Sequence, residues 1–573
     1  MSAAHRPPLA ALNLVHQTPG EPPIETRFSD PAHLAELGFA GDVLNDFGFL
    51  QTALTFEGFD PALAPPGSAA RARADARAEV IRAFIDTRRA QGLKAYVWAD
   101  MIVLPRTVLE RHGEAMTDAR GRFDLSRPAT QAVHRAMADE IVARFPGLSG
   151  VVIRTGETYL HNTPDFVGNN PADGGAADAA PWAAADRHAL LLNLLREGLC
   201  ERGLEVIYRT WAFGGVHTDP DLFLRMSDQV APHPRLSLAI KHTAGDFHRG
   251  FRFNPTLGLG RHPHWVEVQC QREYEGKGVF PNYIAQGVID GFEERAGDPA
   301  PRGLGALDGT APLAGLVIWS RGGGWAGPRP AREFWCALNA AVLLAWSKAP
   351  EAGEAAAFDR VCRDQWGLDD RSTTALRRLC LLSASAVLRG RSSLLTAVNP
   401  WWTRDEFLGG VAPADVWAAL NEEKWCALNA DLDRIDRQDL TDGVLAEKDL
   451  AVDQWREIVA LADQVALPDP ADQGFLRDSC EHGLRLHQAI AAGWRVMLIG
   501  QRAGRIGRLD DKIGLTAAVA AYETAWRDYE ALAERPGASS FYQPRAFDFT
   551  PPDFARADGL EATVRDIAKR WLP

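Results

Sequence analysis

The run GVVIRTGE at 150–157 opens with Val151, Val152 and Ile153 and then reaches a guanidinium at Arg154 and a carboxylate at Glu157. An apolar interior segment that ends in ionisable groups is delivering those groups to a definite place. Two further carboxylates stand in comparable positions, Asp246 at the end of LSLAIKHTAGD and Glu273 at the end of WVEVQCQRE. One such acid serves equally well as a partner for an arginine. Three that converge repel one another unless a ligand or a reaction needs them. Paired carboxylates are the equipment of glycoside hydrolysis: a protonated one donates to the leaving oxygen, while an ionised one attacks the sugar or activates water. Three allow an acid to face a pair that holds the water. Cations occupy the same kind of position: Arg154, Arg209 in IYRTW and Lys241 in AIKHTAGD. Each either neutralises a neighbouring acid or binds an anion, Arg offering a planar fork and Lys a point charge. Trp98, Trp211, Trp319 and Trp325 are of the type that stacks on the apolar face of a sugar ring, although a single tryptophan serves a core as readily. An acidic sugar satisfies all three sets.

The elements that must position these groups are short apolar strands alternating with helical patterns. Strands are expected at ALNLVHQ (11–17), GDVLNDFG (41–48), KAYVWADM (94–101), GVVIRTGE (150–157), EVIYRTW (205–211), LSLAIKHTAGD (236–246), WVEVQCQRE (265–273) and GLVIWSRGGG (315–324). Between them lie amphipathic segments such as RARADARAEVIRAFIDTRRAQG and RPATQAVHRAMADEIVARF. This alternation predicts a (β/α)8 TIM barrel over residues 1–345, with the ionisable groups at the C-terminal mouth of its strands. From 346 to 573 the pattern turns to long helical segments, predicting a mainly α-helical C-terminal domain. Residues 161–187, rich in Gly, Ala, Asp and Pro, read as a long loop after the fourth strand that could cap a substrate. NPWWTRDEF at 399–407 places Trp401 and Trp402 either in the helical core, at an oligomer contact, or as an aromatic wall over the mouth.

Composition excludes several classes. Of the 573 residues, 46% are hydrophobic and 24% charged. Nothing approaches the roughly 18 consecutive apolar residues of a membrane span. The opening MSAAHRPPLAALNLVHQTP lacks a signal-peptide pattern, so a cytoplasmic location is expected. Seven scattered cysteines without a CxxC pair suggest reduced thiols rather than disulfides or structural zinc. A net charge of −13 with no basic stripe argues against nucleic acid as a partner. His242, His248, His262 and His264 lack a compact ligand spacing and RGGG at 321–324 is too short for a dinucleotide fingerprint, so neither metal nor cofactor is expected.

Taken in order along the chain, several of these pieces resemble the α-glucuronidases of glycoside hydrolase family 67. AELGFAGDVLND resembles that family's Ile-Asn-Gly-Val-Val-Leu-Asn-Asn segment, GVVIRTGE its Val-Lys-Ala-x-Ser-Glu-Gly strand end, and IYRTW its Trp-Arg-Thr-Phe. AIKHTAGDF resembles Ile-Lys-Asn-Gly-Pro-Met-Asp-Phe, and VEVQCQREYEGKG resembles Glu-Leu-Gln-Ile-Thr-Gln-Glu-Tyr-x-Gly. The resemblance implies that Glu157 is a general acid, that Asp246 and Glu273 are the water-activating carboxylates of an inverting reaction, and that Arg209 and Lys241 hold a glucuronate carboxylate. Arg154 stands for a third cation, with Arg in place of Lys and one residue fewer before the glutamate. The chain departs from the family in entering its first strand near residue 11, where an additional N-terminal domain is usual. It departs again in carrying WSRGGGWAG where the family has an Asn-rich stretch leading to Trp-Thr-Gly.

The expectation is an exo-acting glycoside hydrolase that removes a terminal uronic acid, α-linked glucuronic acid or its 4-O-methyl ether, from a small acidic oligosaccharide, with a homodimer through the helical domain as its possible assembly. The alternatives are a hydrolase or lyase for another acidic sugar and a non-catalytic acidic-sugar binder. A binder gains nothing from three acids beside an anionic ligand, which favours hydrolysis.

Overall fold

Eight parallel strands close into a barrel: β1 Ala10–His16, β2 Gly41–Leu44, β3 Lys94–Ala99, β4 Gly150–Ile153, β5 Glu205–Arg209, β6 Leu236–Lys241, β7 His264–Gln269 and β8 Leu313–Gly322. Each pairs with its sequence neighbours, and β8 returns to β1. The structure is a computed structural model and describes residues 8–16, 24–45, 49–155, 165–168, 181–211, 215–299, 302–307, 312–324, 332–404, 412–413, 418–534, 554–555 and 559–572. Helices that pack outside the strands include α1 Pro31–Leu37, α2 Ala69–Ala90, α3 Pro128–Arg144, α4 Pro181–Gly198, α5 Pro220–Asp228, α6 Ala285–Asp290 and α7 Phe334–Lys348. The chain is thus a TIM barrel followed by a mainly helical region.

Strand alternation divides the buried residues into two sets. Leu12, Leu14, Val43, Tyr96, Val152 and Ile207 fill the barrel interior together with Trp98 and Trp319, while the opposite faces join the layer beneath the helices. Leu14, Val43 and Tyr96 stand abreast across β1, β2 and β3. Gly150 begins β4 without a side chain because an added Cβ would run into the Glu205 backbone on β5.

Closure of the barrel carries its own polar clamp. On the outer face of β1, Asn13 Nδ2 donates to Asp42 Oδ1 on β2 at 2.7 Å and to the Phe28 carbonyl at 3.0 Å. Its Oδ1 accepts from Ser320 Oγ on β8 at 2.7 Å. Asp42 in turn takes Arg88 of α2 at 2.9 Å.

Two expectations are corrected in detail. The strands stop earlier than their apolar patterns allow, β4 at Ile153 and β7 at Gln269, so Arg154 and Glu273 sit in the loops beyond. Residues 181–187, expected within a loop, open helix α4: Pro at its start is compatible with a first turn, and the alanines that follow are strong helix formers. Phe166–Gly168, in the same stretch, pairs antiparallel with Val103–Pro105. All seven cysteines are free thiols, Cys426 exposed and the others buried.

After the barrel come α8 Asp370–Arg391, α9 Ala418–Arg437, α10 Thr441–Ala462, α11 Pro470–Ile506, α12 Lys512–Glu530 and α13 Leu560–Trp571. The 37 residues of α11 are bounded by familiar signals: Asp469 caps it through Ala471 N, Pro470 fits the first turn, and Gly507 leaves it in the left-handed conformation. No helix among the described residues is long and apolar enough to cross a membrane.

Candidate active site

The alternation that fills the interior continues past it. Two residues beyond Leu14, Tyr96, Ile207 and Ala239 come His16, Trp98, Arg209 and Lys241, and two beyond Trp265 comes Glu267, so the inner wall changes from apolar to ionisable as it nears the mouth. Arg209 and Glu267 form a two-bonded pair at 2.5 and 2.8 Å, both almost fully buried. Nε and Nη2 of Arg209 are committed to it, and its guanidinium carbon lies 4.5 Å from the Trp98 ring and 5.6 Å from that of Trp319. Arg154 makes the equivalent pair with Asp100, both bonds 2.8 Å, just beyond β4 and β3. A pair of this geometry offsets the cost of burying both ions only because two bonds are made at once.

Lys241 has a different partner. Its Nζ is 3.2 Å from Asp246 Oδ1 and 3.7 Å from the centre of the Trp211 ring, with Phe247 at 4.9 Å. Asp246 is held in turn by the loop it belongs to, and its side chain keeps about a third of its surface exposed, 33%. Glu273 is only 3% exposed. Its Oε2 accepts from Phe247 N at 2.7 Å, and its own N–H donates to the Phe247 carbonyl at 3.0 Å, so the loops after β6 and β7 are stitched together at the two acids. Gly323, at a φ of +90°, lies against this site: a Cβ there would come within 2.9 Å of Glu273 Oε1.

The two neighbouring carboxyls are driven apart. Burial raises Glu273, the negative charge of Asp246 adds to it, and the carboxyl titrates at about 7. Burial works in the same direction on Asp246, but the Lys241 ammonium, with His248 and Arg404 behind it, outweighs burial and brings it below its ordinary value. Asp246 keeps more of its side chain in water than Glu273 does, so burial opposes its ionised form less. His16 stacks on Trp319 at 4.5 Å and is kept neutral by burial and by the surrounding Arg209, Arg154 and Lys241.

Of the residues singled out from sequence, Arg154, Arg209, Lys241, Asp246, Glu273, Trp98, Trp211 and Trp319 therefore gather at one end of the barrel. Trp98 is fully buried beneath Arg209, Trp319 is nearly so, and Trp211 flanks Lys241. Glu157 and Trp325 lie outside the described residues. Trp401 and Trp402 divide. Trp402 is core, with its Nε1 on Asp431 at 2.8 Å and its ring against Trp494. Trp401 is half-buried beside Arg404, whose guanidinium covers the Tyr274 ring at 3.6 Å, and the Tyr274 hydroxyl is 3.5 Å from Asp246. The histidines are distributed among structural tasks: His242 stacks on Phe247, His248 meets Tyr274 edge-on, His262 bonds the Ser227 carbonyl and His264 takes Gly258 N–H.

Sequence reading passed over Asp100 and Glu267. Both were legible by the rule that found the others: Asp100 directly follows the KAYVWA strand, and Glu267 shares the inward parity of Trp265 and Gln269. Arg404 was not, because its approach depends on how the helical region packs.

No protein-family model matches the chain, and no curated protein does either. Among solved structures, a GH138 enzyme targeting pectin rhamnogalacturonan II superposes with a TM-score of 0.55 at 12% identity, over 92% of this chain and 62% of that one, so this chain spans less than two thirds of that protein's length. An O-GlcNAc hydrolase mutant of Thermobaculum terrenum gives a TM-score of 0.40 at 10% identity, covering 99% and 94% of the two chains. CpGH84D gives 0.37 at 10% identity, covering 94% and 72%. At this identity the likeness to the GH138 enzyme is one of fold alone: a TIM barrel with attached helices.

Proposed function

We propose that the protein is an exo-acting glycoside hydrolase that releases a terminal uronic acid, α-linked glucuronic acid or its 4-O-methyl ether, from a small oligosaccharide with inversion of configuration. The observation that carries this reading is the placement of Asp246 and Glu273: two carboxyls in adjacent loops, joined through Phe247, at a mouth that also holds Arg209 and Lys241. Arg209 and Lys241 bring cations to that end of the barrel, and Trp211 beside Lys241 brings apolar surface. The family 67 resemblance rests on the motifs quoted above. The GH138 enzyme of similar fold targets a polysaccharide, which agrees with a carbohydrate substrate. In this scheme Glu157 protonates the leaving oxygen, while Asp246 and Glu273, both ionised, hold and deprotonate the water.

A second assignment is favoured by the burial of Glu273 beside Asp246, which pushes its carboxyl up to about 7 while Lys241 brings Asp246 down, and environments that drive neighbouring acids apart divide acid–base roles. Glu273 would then be the acid and Asp246 the ionised nucleophile, with retention of configuration. Two measurements separate the schemes. Proton NMR of the first-formed sugar gives the inverted anomer in the first scheme and the retained one in the second. The pH dependence of kcat/KM rises through about pH 7 if Glu273 must be ionised, and falls through it if Glu273 must carry the proton. Glu157→Gln should lower turnover on the order of 10²- to 10⁴-fold in the first scheme, with partial rescue by an activated aryl leaving group. Absence of product from every uronic-acid-capped oligosaccharide would sink both schemes.

A further inference from the structure

Two buried amides that follow the second strand have no hydrogen-bond partner among the described residues. Asn45, 8% exposed, follows the last residue of β2, and among those residues neither its Nδ2 nor its Oδ1 is bonded. Gln51, 1% exposed, lies on the helical turn Phe49–Thr52 that follows, with Nε2 and Oε1 in the same state. Buried polar side chains are nearly always satisfied, and an unsatisfied one costs the fold free energy. Four such atoms within seven residues of chain are a feature to explain.

For Asn45 its position supplies the explanation. Val43 belongs to the barrel interior, so alternation carries Asn45 to the same side, one step nearer the mouth. Because Leu14, Val43 and Tyr96 are abreast, Asn45 lies level with His16 on β1 and Trp98 on β3. In the closed strand order β2 stands opposite β6, the strand that leads to Asp246. Nε1 of Trp319, itself 3% exposed and stacked on His16, is a further donor without a partner on this side. A primary amide offers a donor and an acceptor together, which is the pattern that a ring hydroxyl, itself both, can satisfy.

We propose that Asn45 is a specificity-determining residue that binds sugar-ring hydroxyls on the side of the ring away from Asp246 and Glu273. This rests on the sugar-acid reading above and extends it from the carboxylate to the hydroxyl pattern. The Asn45 amide is tolerated unpaired because its partner arrives with the substrate.

The test uses the whole chain and its Asn45→Leu variant, with calorimetric binding of free D-glucuronic acid, its 2-, 3- and 4-deoxy derivatives, and D-glucose, beside thermal unfolding of each ligand-free protein. Asn45→Leu should weaken glucuronic acid binding by about tenfold or more, as loss of a hydrogen bond implies, while leaving the unfolding midpoint unchanged or higher. For one deoxy sugar the variant should cost nothing further, identifying the hydroxyl that is read. An Asn45→Leu protein that unfolds earlier and binds as tightly as the wild type would overturn the proposal, as would losses that simply add for all three deoxy sugars. Wild-type protein that binds glucose but not glucuronic acid would instead sink the acidic-sugar reading, and the Asn45 comparison is then decided on glucose. Binding of neither sugar sinks both.

Discussion

At the scale of single residues, the site is a set of charges whose cost is offset locally, with one exception. Arg154 and Arg209 are each clamped in two bonds by an acid, whereas Glu273 is buried beside a like charge. Its folded-state titration lies above that of a free glutamate, so the fold favours the protonated form. Stability from this group is fully present below the ordinary glutamate range and is lost as pH rises through about 7. Glu273→Gln, which keeps an acceptor for Phe247 N, should therefore match the wild type near pH 4 and exceed its stability at pH 8 by on the order of 3 kcal/mol. Thermal melts across that range check it, and equal midpoints at pH 8 would remove the strained acid from the account. Arg209 behaves in the opposite sense. Arg209→Ala strands Glu267 in the interior and should cost about 3–5 kcal/mol, read as a fall in the urea midpoint. An Arg209→Ala, Glu267→Ala double variant should recover part of that loss yet still bind glucuronic acid less well than its neutral counterpart. The cations were legible because a charge at the end of an apolar run is conspicuous. Their partners Asp100 and Glu267 are legible in position by the same rule but not in role, because a lone acid near a strand end has no local feature that distinguishes a clamp from a catalyst.

At the scale of elements, the inward parity of eight strands is what turns scattered letters into a ring. The strands were readable because buried parallel strands are near-continuous apolar runs bounded by turn signals. Their ends were not, since His16, Arg154 and Glu273 continue the chain in extended or looping form without a change of composition that marks the last ladder bond. Residues 181–187 failed for a related reason: Gly, Asp and Pro dominate what precedes them, and the helix-forming alanines were averaged into that loop. The barrel's closure was also invisible, because Asn13, Asp42 and Ser320 come from three strands far apart in the chain. Removing the hub leaves an acceptor on Asp42, the Phe28 carbonyl and the Ser320 hydroxyl without their shared partner. Asn13→Ala should therefore cost about 2 kcal/mol or more, seen as a lower melting midpoint. Because Asn13 faces outward from the barrel, KM for any substrate should stay close to the wild-type value. A large change in KM with an unaltered midpoint would mean that the seam contributes to the mouth itself.

At the scale of the whole molecule, the helices after the barrel hold the loop that carries Glu273. That loop is held in an unfavourable conformation: Tyr274 and Lys277 both have positive φ, 65° and 44°, in a region that costs non-glycine residues on the order of 1–3 kcal/mol each. It persists because both of its ends are fixed. At one end Glu273 and Phe247 exchange backbone and side-chain bonds, and Lys277 Nζ reaches the Gly324 carbonyl at 3.0 Å. At the other, Phe280 is inserted into the helical core, 5.8 Å from Trp455 and 5.7 Å from His487 in edge-on contacts, with His482 stacked at 6.2 Å. No local period in the sequence announces such an insertion, since Phe280 belongs to a barrel loop while Trp455, His482 and His487 belong to α10 and α11. Phe280→Ala removes the anchor and should cost about 3–5 kcal/mol as a cavity in a packed core. Its functional consequence is separable from that loss. With the loop relaxed, water reaches Glu273, burial no longer raises its carboxyl as far, and the Glu273 limb of the pH–rate profile should move from about 7 toward the ordinary glutamate value, with kcat falling more than KM rises. The profile, measured well below the variant's melting temperature, decides the matter: a limb that stays near 7 would show that the barrel alone sets the acid's environment and that the helices merely cover it.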